Sequence, residues 1–500
     1  MPKSVLISEQ RYIQREWLEG KITAGKLDAE TTAPIVELPA DHPNPFPEDE
    51  VGRYQAPDQR RLVSADEEVA RAFAERGLFP GFLAAGPREA LRFDPCSVRA
   101  AIVAVGGTAP GTNAAIHAIV RRHHEYVIAA QTMWERQGRK GVCPQWSGQV
   151  LGIRNGFEGL MAPRAKRDSA VPGPIELTPE MTVAWRDLGG CQLGLSRYNF
   201  AGGGRIEHVA GNILEEGVNI LYIIGGDGGM HAALKLTHVL REDPAARNIA
   251  IACIPKTMDN DIPWMWNALG HRTALAEAAR VLSALRTDAE ANRRVIIVEL
   301  FGADAGFLSA NAALASGKVD CVLIPEEDFD PWKAVEYIAG RARERQCALV
   351  IVAEGSLLAL GKSLVSRKHA KLPKPSAVGL RDPYYGRQDL RDLALKWLRD
   401  ELRAQFVKPP IFTGHIIISQ PGYQLRAVPP GAEDLIYAER FGALVVDSAL
   451  AGYTSFMLSQ WLTGYVMVPL PLVVHTERRI PRGGIFWREV VASTGQPEFP

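Results

Sequence analysis

The chain has 500 residues, of which 46% are hydrophobic and 23% are charged, as in an ordinary globular protein. Its 57 Lys and Arg residues equal its 57 Asp and Glu residues, so the formal net charge is zero. This balance argues against a general nucleic-acid or anionic-membrane binder, although it is compatible with a local basic pocket.

Cysteine usage and apolar runs indicate the compartment. The six cysteines are scattered and include no CxxC pair, which argues against a zinc site or a disulfide framework. The first residues lack the apolar core of a signal peptide, and no run of about 20 apolar residues occurs. We therefore expect a cytoplasmic protein without a membrane partner.

The N-terminal part differs in composition from the rest of the chain. Residues 1–95 are poor in aliphatic runs, and the proline-rich stretch APIVELPADHPNPFPEDE predicts a segment that wraps a surface or links elements. From residue 99 onward short aliphatic runs recur, and most of them end in glycine or proline. These runs cover residues 100–105, 220–226, 249–255, 295–302, 321–325, 348–355 and 414–418.

Helical sequence separates many of these runs, for example EHVAGNILEEG and HRTALAEAARVLSAL. Strands that are apolar without alternation are buried on both faces, which requires helices on both sides of a parallel sheet. There are too many runs for one sheet, so the sequence predicts a doubly wound α/β protein with two lobes. The basic stretch at 357–376 is predicted to be an inserted, solvated loop.

The first aliphatic run leads into the glycine-rich segment GGTAPGTNAAIHAIV. Ligands of doubly wound folds bind beyond the carboxyl ends of the strands. Gly106, Gly107 and Gly111 allow a sharp turn, after which a helix would direct its N-terminal amides at an anion. A tight turn without a ligand explains the same pattern, because the spacing is neither GxGxxG nor Walker A.

The run at 220–226 continues into GGDGG before the next helix. The glycines around Asp227 permit close approach of a polyanion; they are Gly225, Gly226, Gly228 and Gly229. Mg²⁺ takes one or two carboxylates together with phosphate oxygens, so Asp227 is a candidate magnesium ligand. Alternatively Asp227 only caps the helix, a role that would not need glycines on both sides.

The segment IPKTMDNDIP follows the next buried run. It places Lys256 and Thr257 directly before Asp259 and Asp261. An Asx-rich turn that satisfies local amides would need only one aspartate. Phosphoryl transfer needs an anion clamp, a metal and a base near the attacking hydroxyl, and it accounts better for all four side chains.

Six motifs, in their order, resemble those of the phosphofructokinases. They are GGTAPGTNAAI, GGCQLGLSR, GGDGGMHAA, PKTMDNDI, VELFGADAGFLSA and VAEGS. The flanks AGPREALRFDPCSVRAAIV and GYQLRAVPPGAEDLIYAERFGALVVDSALAGYT look like the long ATP-dependent branch of plant and trypanosomatid enzymes. The resemblance covers about residues 80–470.

The resemblance implies two doubly wound parallel-sheet lobes of phosphofructokinase type. Residues 1–95 would form an N-terminal extension and residues 96–270 a nucleotide-binding lobe. Residues 271–425 would form a lobe for the sugar phosphate, and residues 426–500 would complete the lobes.

The resemblance also implies roles around the transferred phosphoryl group. Asp259 matches the catalytic base that takes the proton from the sugar 1-hydroxyl, and Thr257 matches a contact to the phosphoryl group. Arg197 would offset charge on that group, and Asp227 matches the magnesium-associated acid. The other contacts to the donor would be Gly106, Gly107, Gly226, Gly228, Gly229 and Lys256.

On the acceptor side, Asp261 matches a contact to the sugar and Glu354 an acceptor from a sugar hydroxyl. Tyr423 and Arg426 match contacts to the 6-phosphate and the sugar, and Gly302 belongs to the same binding region.

Arg294 occupies a position from which an arginine reaches the neighbouring subunit's sugar phosphate in some family members. A solvent-facing residue before a strand is the alternative. The resemblance implies a homo-oligomer, either a dimer or a tetramer.

The donor depends on Gly228. Pyrophosphate-using relatives carry an acidic side chain there, which would repel the inner phosphate of ATP. Lys256 occurs in pyrophosphate users, but the long ATP branch also combines lysine with glycine. The sequence therefore favours ATP as donor with Mg²⁺ as cofactor.

Three positions depart from the family pattern near the acceptor. Ala303 replaces an arginine, Ile417 lies where a lysine is usual, and His271 replaces a phenylalanine. Three other arginines could compensate: Arg272, Arg293 and Arg294. Otherwise the acceptor is a different and less anionic molecule.

We predict transfer of a phosphoryl group from MgATP to the 1-hydroxyl of fructose 6-phosphate. The alternatives are a pyrophosphate-dependent enzyme and an ATP-dependent kinase of another sugar or sugar phosphate. A non-catalytic regulatory paralogue is the least favoured, because Asp227, Thr257, Asp259 and Asp261 are all present.

Overall fold

The structure is a computed structural model that describes most of the chain. It describes residues 36–37, 40, 42–46, 54–56, 58–62, 71, 81–138, 149–161, 173–197, 205–367, 385–409 and 411–499. These residues form two compact units. Unit 1 takes its described residues from Met1–Thr257, Ile262–Arg272 and Arg426–Glu477, and unit 2 from Met258–Asp261, Thr273–Leu425 and Arg478–Pro500.

Seventeen strands lie in the described residues. In chain order they are β1 (Val36–Glu37), β2 (His42–Pro43), β3 (Arg60–Leu62), β4 (Gly81–Ala84), β5 (Ala90–Leu91), β6 (Arg99–Ala104), β7 (Gln149–Ile153), β8 (Ile175–Glu176), β9 (Ile220–Gly225), β10 (Ala250–Pro255), β11 (Arg294–Leu300), β12 (Cys321–Leu323), β13 (Ala348–Ala353), β14 (His415–Ser419), β15 (Tyr453–Thr454), β16 (Phe456–Trp461) and β17 (Gly464–Pro469). Each predicted aliphatic run coincides with one of these strands.

The same residues contain thirteen α-helices and a 3₁₀ helix at Gly156–Leu160. The α-helices are α1 (Thr112–Arg136), α2 (Pro179–Val183), α3 (Arg205–Glu215), α4 (Asp227–Glu242), α5 (His271–Asn292), α6 (Phe307–Ser316), α7 (Pro331–Arg345), α8 (Glu354–Ser366), α9 (Tyr385–Phe406), α10 (Gly422–Ala427), α11 (Ala432–Leu450), α12 (Leu470–Val474) and α13 (Ile485–Thr494). Among these described helices, none has both the length and the apolar character that crossing a bilayer requires.

A nine-stranded sheet with the order β3-β4-β17-β16-β10-β9-β6-β7-β8 forms the centre of unit 1. The five strands from β16 to β7 are mutually parallel, and each of the outer strands pairs antiparallel with its neighbour. Every residue of β9 and β10 is buried. Their unalternating sequences, ILYIIG and AIACIP, thus mark strands covered on both faces, as predicted.

The order of the sheet reverses at β6. The next strand along the chain that joins this sheet, β7, lies on one side of β6, and β9 lies on the other. Ligands of doubly wound sheets bind at the carboxyl ends of the strands at such a reversal. The glycine-rich segment after β6 and Asp227 after β9 both follow these ends.

The N-terminal extension predicted for residues 1–95 contributes to this sheet. β3 and β4 extend it beyond β17. Phe82 in β4 is fully buried, and its ring lies 5.5 Å from that of Trp264 in an edge-to-face arrangement. The sequence does not reveal this role, because strands of three and four residues leave no long aliphatic run.

Unit 2 is built on a four-stranded parallel sheet with the order β12-β13-β11-β14. Alternate residues of β11 pack into two different apolar clusters. Val295 and Ile297 belong to the first cluster, and Ile296 and Val298 belong to the second. The first cluster includes residues of α7, α8 and α9, and the second includes residues of α5, α6 and α13. Helices therefore cover both faces of this sheet.

The prediction of an inserted loop at 357–376 is wrong for its first half. Residues 357–366 belong to α8, and Leu357, Leu360 and Leu364 are buried against the sheet of unit 2. The apolar spacing of i, i+3 and i+7 is that of a helix face, which the basic residues farther along obscured. Residues 368–376 lie outside the described residues.

Candidate active site

The segment after β6 forms a turn that we call the glycine turn (residues 105–111). Val105 N donates a hydrogen bond to Ile224 O at 2.9 Å, and Gly106 N donates to Ser196 O at 3.0 Å. Gly106 and Gly111 both have φ of +87°, in the left-handed region that glycine tolerates best. The chain therefore reverses sharply between the end of β6 and the start of α1.

Lys256 links β10 to the glycine turn. Its Nζ donates to Val105 O at 2.9 Å and also to Gly107 O. The residue is only 2% exposed. Burial lowers the pKa of the ammonium group to about 8, and the charge of Arg197 acts in the same direction. Lys256 thus holds the turn through two carbonyl groups and brings a titratable positive charge to it.

Two guanidinium groups lie close to Gly107. A Cβ atom at this position would lie 3.2 Å from Arg197 Nη2 and 3.9 Å from Arg426 Nη1. Arg197 comes from the GGCQLGLSR segment, and Arg426 comes from α10. The same segment is fixed by Gly189, where a Cβ would lie 2.0 Å from Ala427 O. Together with Lys256, three cationic side chains therefore surround one glycine turn, an arrangement suited to a polyanion.

Asp227 opens α4 directly after β9. The N-cap of this helix is Gly226, and no side chain caps it. The alternative that Asp227 is only the helix cap is therefore wrong. Its side chain is 53% exposed, and Oδ2 lies 3.3 Å from His231 Nδ1 one turn later. The hydrogen bond to Asp227 raises the pKa of His231.

The glycines around Asp227 serve different purposes. A Cβ at Gly229 would lie 2.9 Å from Val105 Cγ2, so this glycine allows α4 to pack against the end of β6. A Cβ at Gly228 would meet no protein atom within 4 Å. Gly226 is likewise uncrowded, with Lys256 O at 3.5 Å. Packing therefore explains Gly229, whereas Gly228 faces open space at the first turn of a helix.

The residues around Asp227 fit a magnesium ion held jointly with phosphate. Among the described residues, no group of three or more His, Cys, Asp or Glu side chains is arranged to hold a metal alone. Mg²⁺ often uses one or two carboxylates and takes its other ligands from substrate phosphates and water. An exposed carboxylate beside a cationic turn meets this requirement.

The segment after β10 contains the two aspartates of the PKTMDND motif. Thr257, Asp259 and Asp261 are each partly exposed. The residues that alternate with them are buried: Met258, Asn260 and Ile262. Asn260 has φ of +56°, a conformation that asparagine tolerates better than most residues, and its Oδ1 accepts a hydrogen bond from Arg478 Nη1 at 3.2 Å. The central asparagine thereby fixes the bend between the two acids.

The carboxyl ends of the strands in unit 2 carry a second group of polar side chains. We call it the carboxylate cluster (Glu299, Glu354, Arg391 and Gln420). Arg391 Nη1 lies 3.0 Å from Glu299 Oε1 and 2.9 Å from Glu354 Oε1. Gln420 Nε2 donates to Glu299 Oε2 at 2.5 Å. Burial raises the pKa of Glu299, and the Gln420 hydrogen bond and Arg391 partly offset this effect.

Gly302 and Tyr423 lie at the same ends of the unit 2 strands. Gly302 has φ of +130°, and its carbonyl accepts a hydrogen bond from Gly355 N at 2.9 Å. This contact ties the loop after β11 to the start of α8, where Glu354 is the first helical residue. Tyr423 is 73% exposed, next to a glycine that packs on the ring of Phe301.

The structure separates Arg294 from the carboxylate cluster. Arg294 lies at the opposite end of β11 from Gly302, and its Nη1 is 2.6 Å from Asp288 Oδ2. Arg272 Nε lies 3.5 Å from Glu433 Oε2 in unit 1. Glu299, Arg391 and Gln420 are not among the residues predicted from the sequence. Glu299 lies in the motif VELFGADAGFLSA and Gln420 directly follows β14, which could have identified them, whereas Arg391 lies inside a helix without a motif.

The glycine turn, the cations and the carboxylates lie after parallel strands of two sheets, and together they define a phosphate-handling α/β protein. The chain belongs to the phosphofructokinase family, whose model matches residues 143–449. It is 32% identical to an ATP-dependent 6-phosphofructokinase of Amycolatopsis methanolica over 89% of each chain. It is 30% identical to an ATP-dependent 6-phosphofructokinase of Trypanoplasma borreli over 81% of this chain and 74% of the relative.

Solved structures share the fold at low sequence identity. A pyrophosphate-dependent phosphofructokinase from Marinobacter aquaeolei matches with a TM-score of 0.56 and 18% identity. The match covers 81% of this chain and 93% of that one. A second, from Nitrosospira multiformis, gives the same TM-score and identity. At this identity the likeness concerns the fold alone, which is the predicted doubly wound α/β class.

Proposed function

We propose that the protein is an ATP-dependent 6-phosphofructokinase, which transfers the γ-phosphoryl group of ATP to the 1-hydroxyl of fructose 6-phosphate. The observation that carries this proposal is the convergence of Arg197, Arg426 and Lys256 on the glycine turn. This turn follows β6, which is the neighbour in the sheet of β9, the strand that precedes Asp227. The reaction is that of the ATP-dependent 6-phosphofructokinases to which the chain is similar. The three cations at the glycine turn form a place where a polyphosphate can bind.

Unit 1 is the nucleotide-binding lobe in this proposal. ATP phosphates lie along Gly106, Gly107 and the first turn of α4, where backbone amides and cations neutralise their charge. Gly226, Gly228 and Gly229 leave the helix start free of bulky side chains. Asp227 would hold a Mg²⁺ ion on the phosphates, and this ion would supply charge neutralisation during transfer.

Unit 2 holds the sugar phosphate. Glu354 accepts a hydrogen bond from a sugar hydroxyl, and Gly302 lets the loop after β11 approach the sugar. Asp261 and Arg426 contact the sugar, and Tyr423 contacts the 6-phosphate. Arg294 serves a neighbouring subunit, so the working form is a homo-oligomer, a dimer or a tetramer, in the cytoplasm.

Asp259 is the general base. It removes the proton of the attacking 1-hydroxyl, while Thr257 contacts the moving phosphoryl group two residues earlier in the chain. Arg197 stabilises the charge that builds up on the equatorial oxygens. A carboxylate base of this kind contributes ~10²–10⁴-fold to the rate.

ATP is favoured over pyrophosphate because Gly228 is uncharged and unobstructed. The described residues around Gly228 leave room for the inner phosphates of a nucleotide. The pyrophosphate-dependent phosphofructokinases of Marinobacter aquaeolei and Nitrosospira multiformis share the fold, so the fold does not specify the donor.

The test is a coupled assay with ATP and with pyrophosphate, each against fructose 6-phosphate, other sugar phosphates and free sugars. We expect ATP with fructose 6-phosphate to give the highest kcat/KM. Asp259→Asn should lower kcat by ~10²–10⁴-fold and leave the Kd for ATP within about twofold. Phosphorylation of another acceptor, or near-normal turnover by Asp259→Asn, would contradict the assignment.

A further inference from the structure

Arg391 is the central member of the carboxylate cluster, and it comes from α9 rather than from a strand end. Nη1 lies about equally far from Glu299 and Glu354, at 3.0 and 2.9 Å. Nη2 donates to Gln388 Oε1 on the same helix. The side chain is 15% exposed, and that of Glu299 is 8% exposed. The guanidinium of Arg391 therefore bridges two carboxylates at a largely buried site.

The strand register explains why both carboxylates need this partner. Glu299 is the penultimate residue of β11, Glu354 directly follows β13, and these two strands are parallel neighbours. Their carboxylates therefore emerge at adjacent strand ends, where two like charges repel each other. Gln420 binds Glu299 Oε2 but brings no charge. The cation must come from elsewhere, and α9 supplies it.

Glu299 is held on two sides, whereas Glu354 has a free side for a ligand. Glu299 shares its two oxygens between Gln420 and Arg391. Glu354 is 18% exposed, and its Oε1 is the oxygen that Arg391 contacts. A carboxylate fixed by one oxygen presents the other in a defined direction. Among the described residues, Arg391 Nε is buried and makes no hydrogen bond.

We propose that Arg391 is a positioning residue for the acceptor: it orients the Glu354 carboxylate toward a sugar hydroxyl and keeps it from being repelled by Glu299. This inference rests on the proposed function, because it assumes that Glu354 binds the sugar. Removal of the guanidinium weakens acceptor binding and leaves the KM for ATP unchanged, since the contacts of Arg391 are with Glu299, Glu354 and Gln388.

The experiment compares Arg391→Met with Arg403→Met. Arg403 lies on the same helix and is 62% exposed beside Asp400, so it controls for loss of an arginine from α9. We expect Arg391→Met to raise the KM for fructose 6-phosphate about 10- to 100-fold, because Glu354 loses the cation with which it forms an ion pair. The KM for ATP should stay within about twofold in both variants.

Two further measurements separate positioning from a merely structural role. Millimolar guanidinium chloride should restore part of the lost affinity of Arg391→Met and should not affect the wild type. Fructose 6-phosphate should raise the Tm of the wild type and of Arg403→Met but not that of Arg391→Met. If Arg391→Met does not fold, Arg391→Lys keeps the charge and should show an intermediate rise in the same KM.

The outcomes for the two proposals are distinct. An unchanged KM for fructose 6-phosphate in a folded Arg391→Met variant overturns the positioning role. An equal rise in both KM values with a lower Tm also overturns it, because that pattern is structural. A wild type that does not phosphorylate fructose 6-phosphate and is not stabilised by it overturns the proposed function itself, and the inference with it.

Discussion

Gly228 is the single residue on which the choice of donor depends. It is the second residue of α4, and a Cβ at this position would contact no protein atom within 4 Å. The backbone there is not in the left-handed region, so other residues fit without strain. An acidic substitution therefore changes the charge at the start of α4 and leaves the packing unchanged. Its effect on the kinetics with ATP tests the electrostatic choice of donor.

We predict that Gly228→Asp impairs the use of ATP. A carboxylate about 5 Å from a phosphate repels it by about 3 kcal/mol at an effective dielectric constant of ~20. The KM for ATP should then rise at least about tenfold, since ~1.4 kcal/mol corresponds to one decade. Steady-state kinetics with ATP and with pyrophosphate check this.

Gly228→Ala is the matched control, because it adds the Cβ without the charge. It should leave the KM for ATP within about threefold and cost little stability, as alanine favours helices. If Gly228→Asp uses ATP as well as the wild type does, or if both variants are equally impaired, the electrostatic argument fails.

Lys256 makes the activity depend on pH. Burial lowers its pKa to about 8, whereas an exposed lysine titrates near ~10.4. As the pH rises through about 8, the ammonium loses the charge that attracts the polyphosphate, so kcat/KM for ATP should fall. Stability changes in the opposite direction: between about 8 and ~10.4 the unfolded chain binds more protons, so this residue makes folding more favourable as the pH rises.

Lys256→Met removes both effects. Its kcat/KM for ATP should be lower than that of the wild type at pH 7 and should lack the decline around pH 8. Thermal unfolding across the same pH range would show that loss of folding does not cause the wild-type decline. An alkaline decline that persists unchanged in Lys256→Met would assign it to another group.

At the scale of elements, the sequence predicted the strand ends well. β6, β9 and β10 are short apolar strands, and a glycine or proline lies at or within two residues of the end of each, before the polar residues. Each strand and the polar segment that follows it can be recognised from neighbouring residues in the sequence. The positions of Gly107, Asp227 and Asp259 after strand ends could therefore be predicted without coordinates. The positive φ of Asn260 adds a local reason for the sequence DND.

Contacts between elements distant in the chain could not be predicted in this way. The carboxylate cluster joins β11, α8, α9 and the residue after β14, and Glu299 and Gln420 are 121 positions apart in the chain. Arg391 stands in an ordinary helical sequence, and only folding brings it to Glu354. The antiparallel edge of the unit 1 sheet, formed by β17, β4 and β3, likewise depends on pairing across the chain.

At the scale of the whole molecule, the units are discontinuous. The chain passes between them after Thr257, Asp261, Arg272, Leu425 and Glu477. Composition does not mark five such passages, and the only returning segment that the sequence predicts is 426–500, which would complete the lobes. The segment Arg478–Pro500 belongs to unit 2, although it follows a long stretch of unit 1.

Truncation after Glu477 should therefore unfold unit 2. It removes four buried side chains from the clusters on the two faces of the unit 2 sheet: Ile480, Trp487, Val490 and Phe499. It also removes Ile480 N, which donates to the buried Glu326 at 3.0 Å. Truncating one buried Trp or Phe to Ala costs ~3–5 kcal/mol, and a whole domain is stable by only ~5–15 kcal/mol. Limited proteolysis should then cleave residues 273–425 rapidly.

Two point variants on α13 measure how much individual side chains of the C-terminal segment contribute to the stability of unit 2. Trp487 is buried against unit 2, and Glu489 on the same helix is exposed. Trp487→Ala should lower the free energy of unfolding by ~3–5 kcal/mol, whereas Glu489→Ala should change it by no more than ~0.5 kcal/mol. Chemical denaturation measures both values. A truncated chain that resists protease as the full chain does would show that the C-terminal segment is dispensable for unit 2, contrary to the packing of α13 on the sheet.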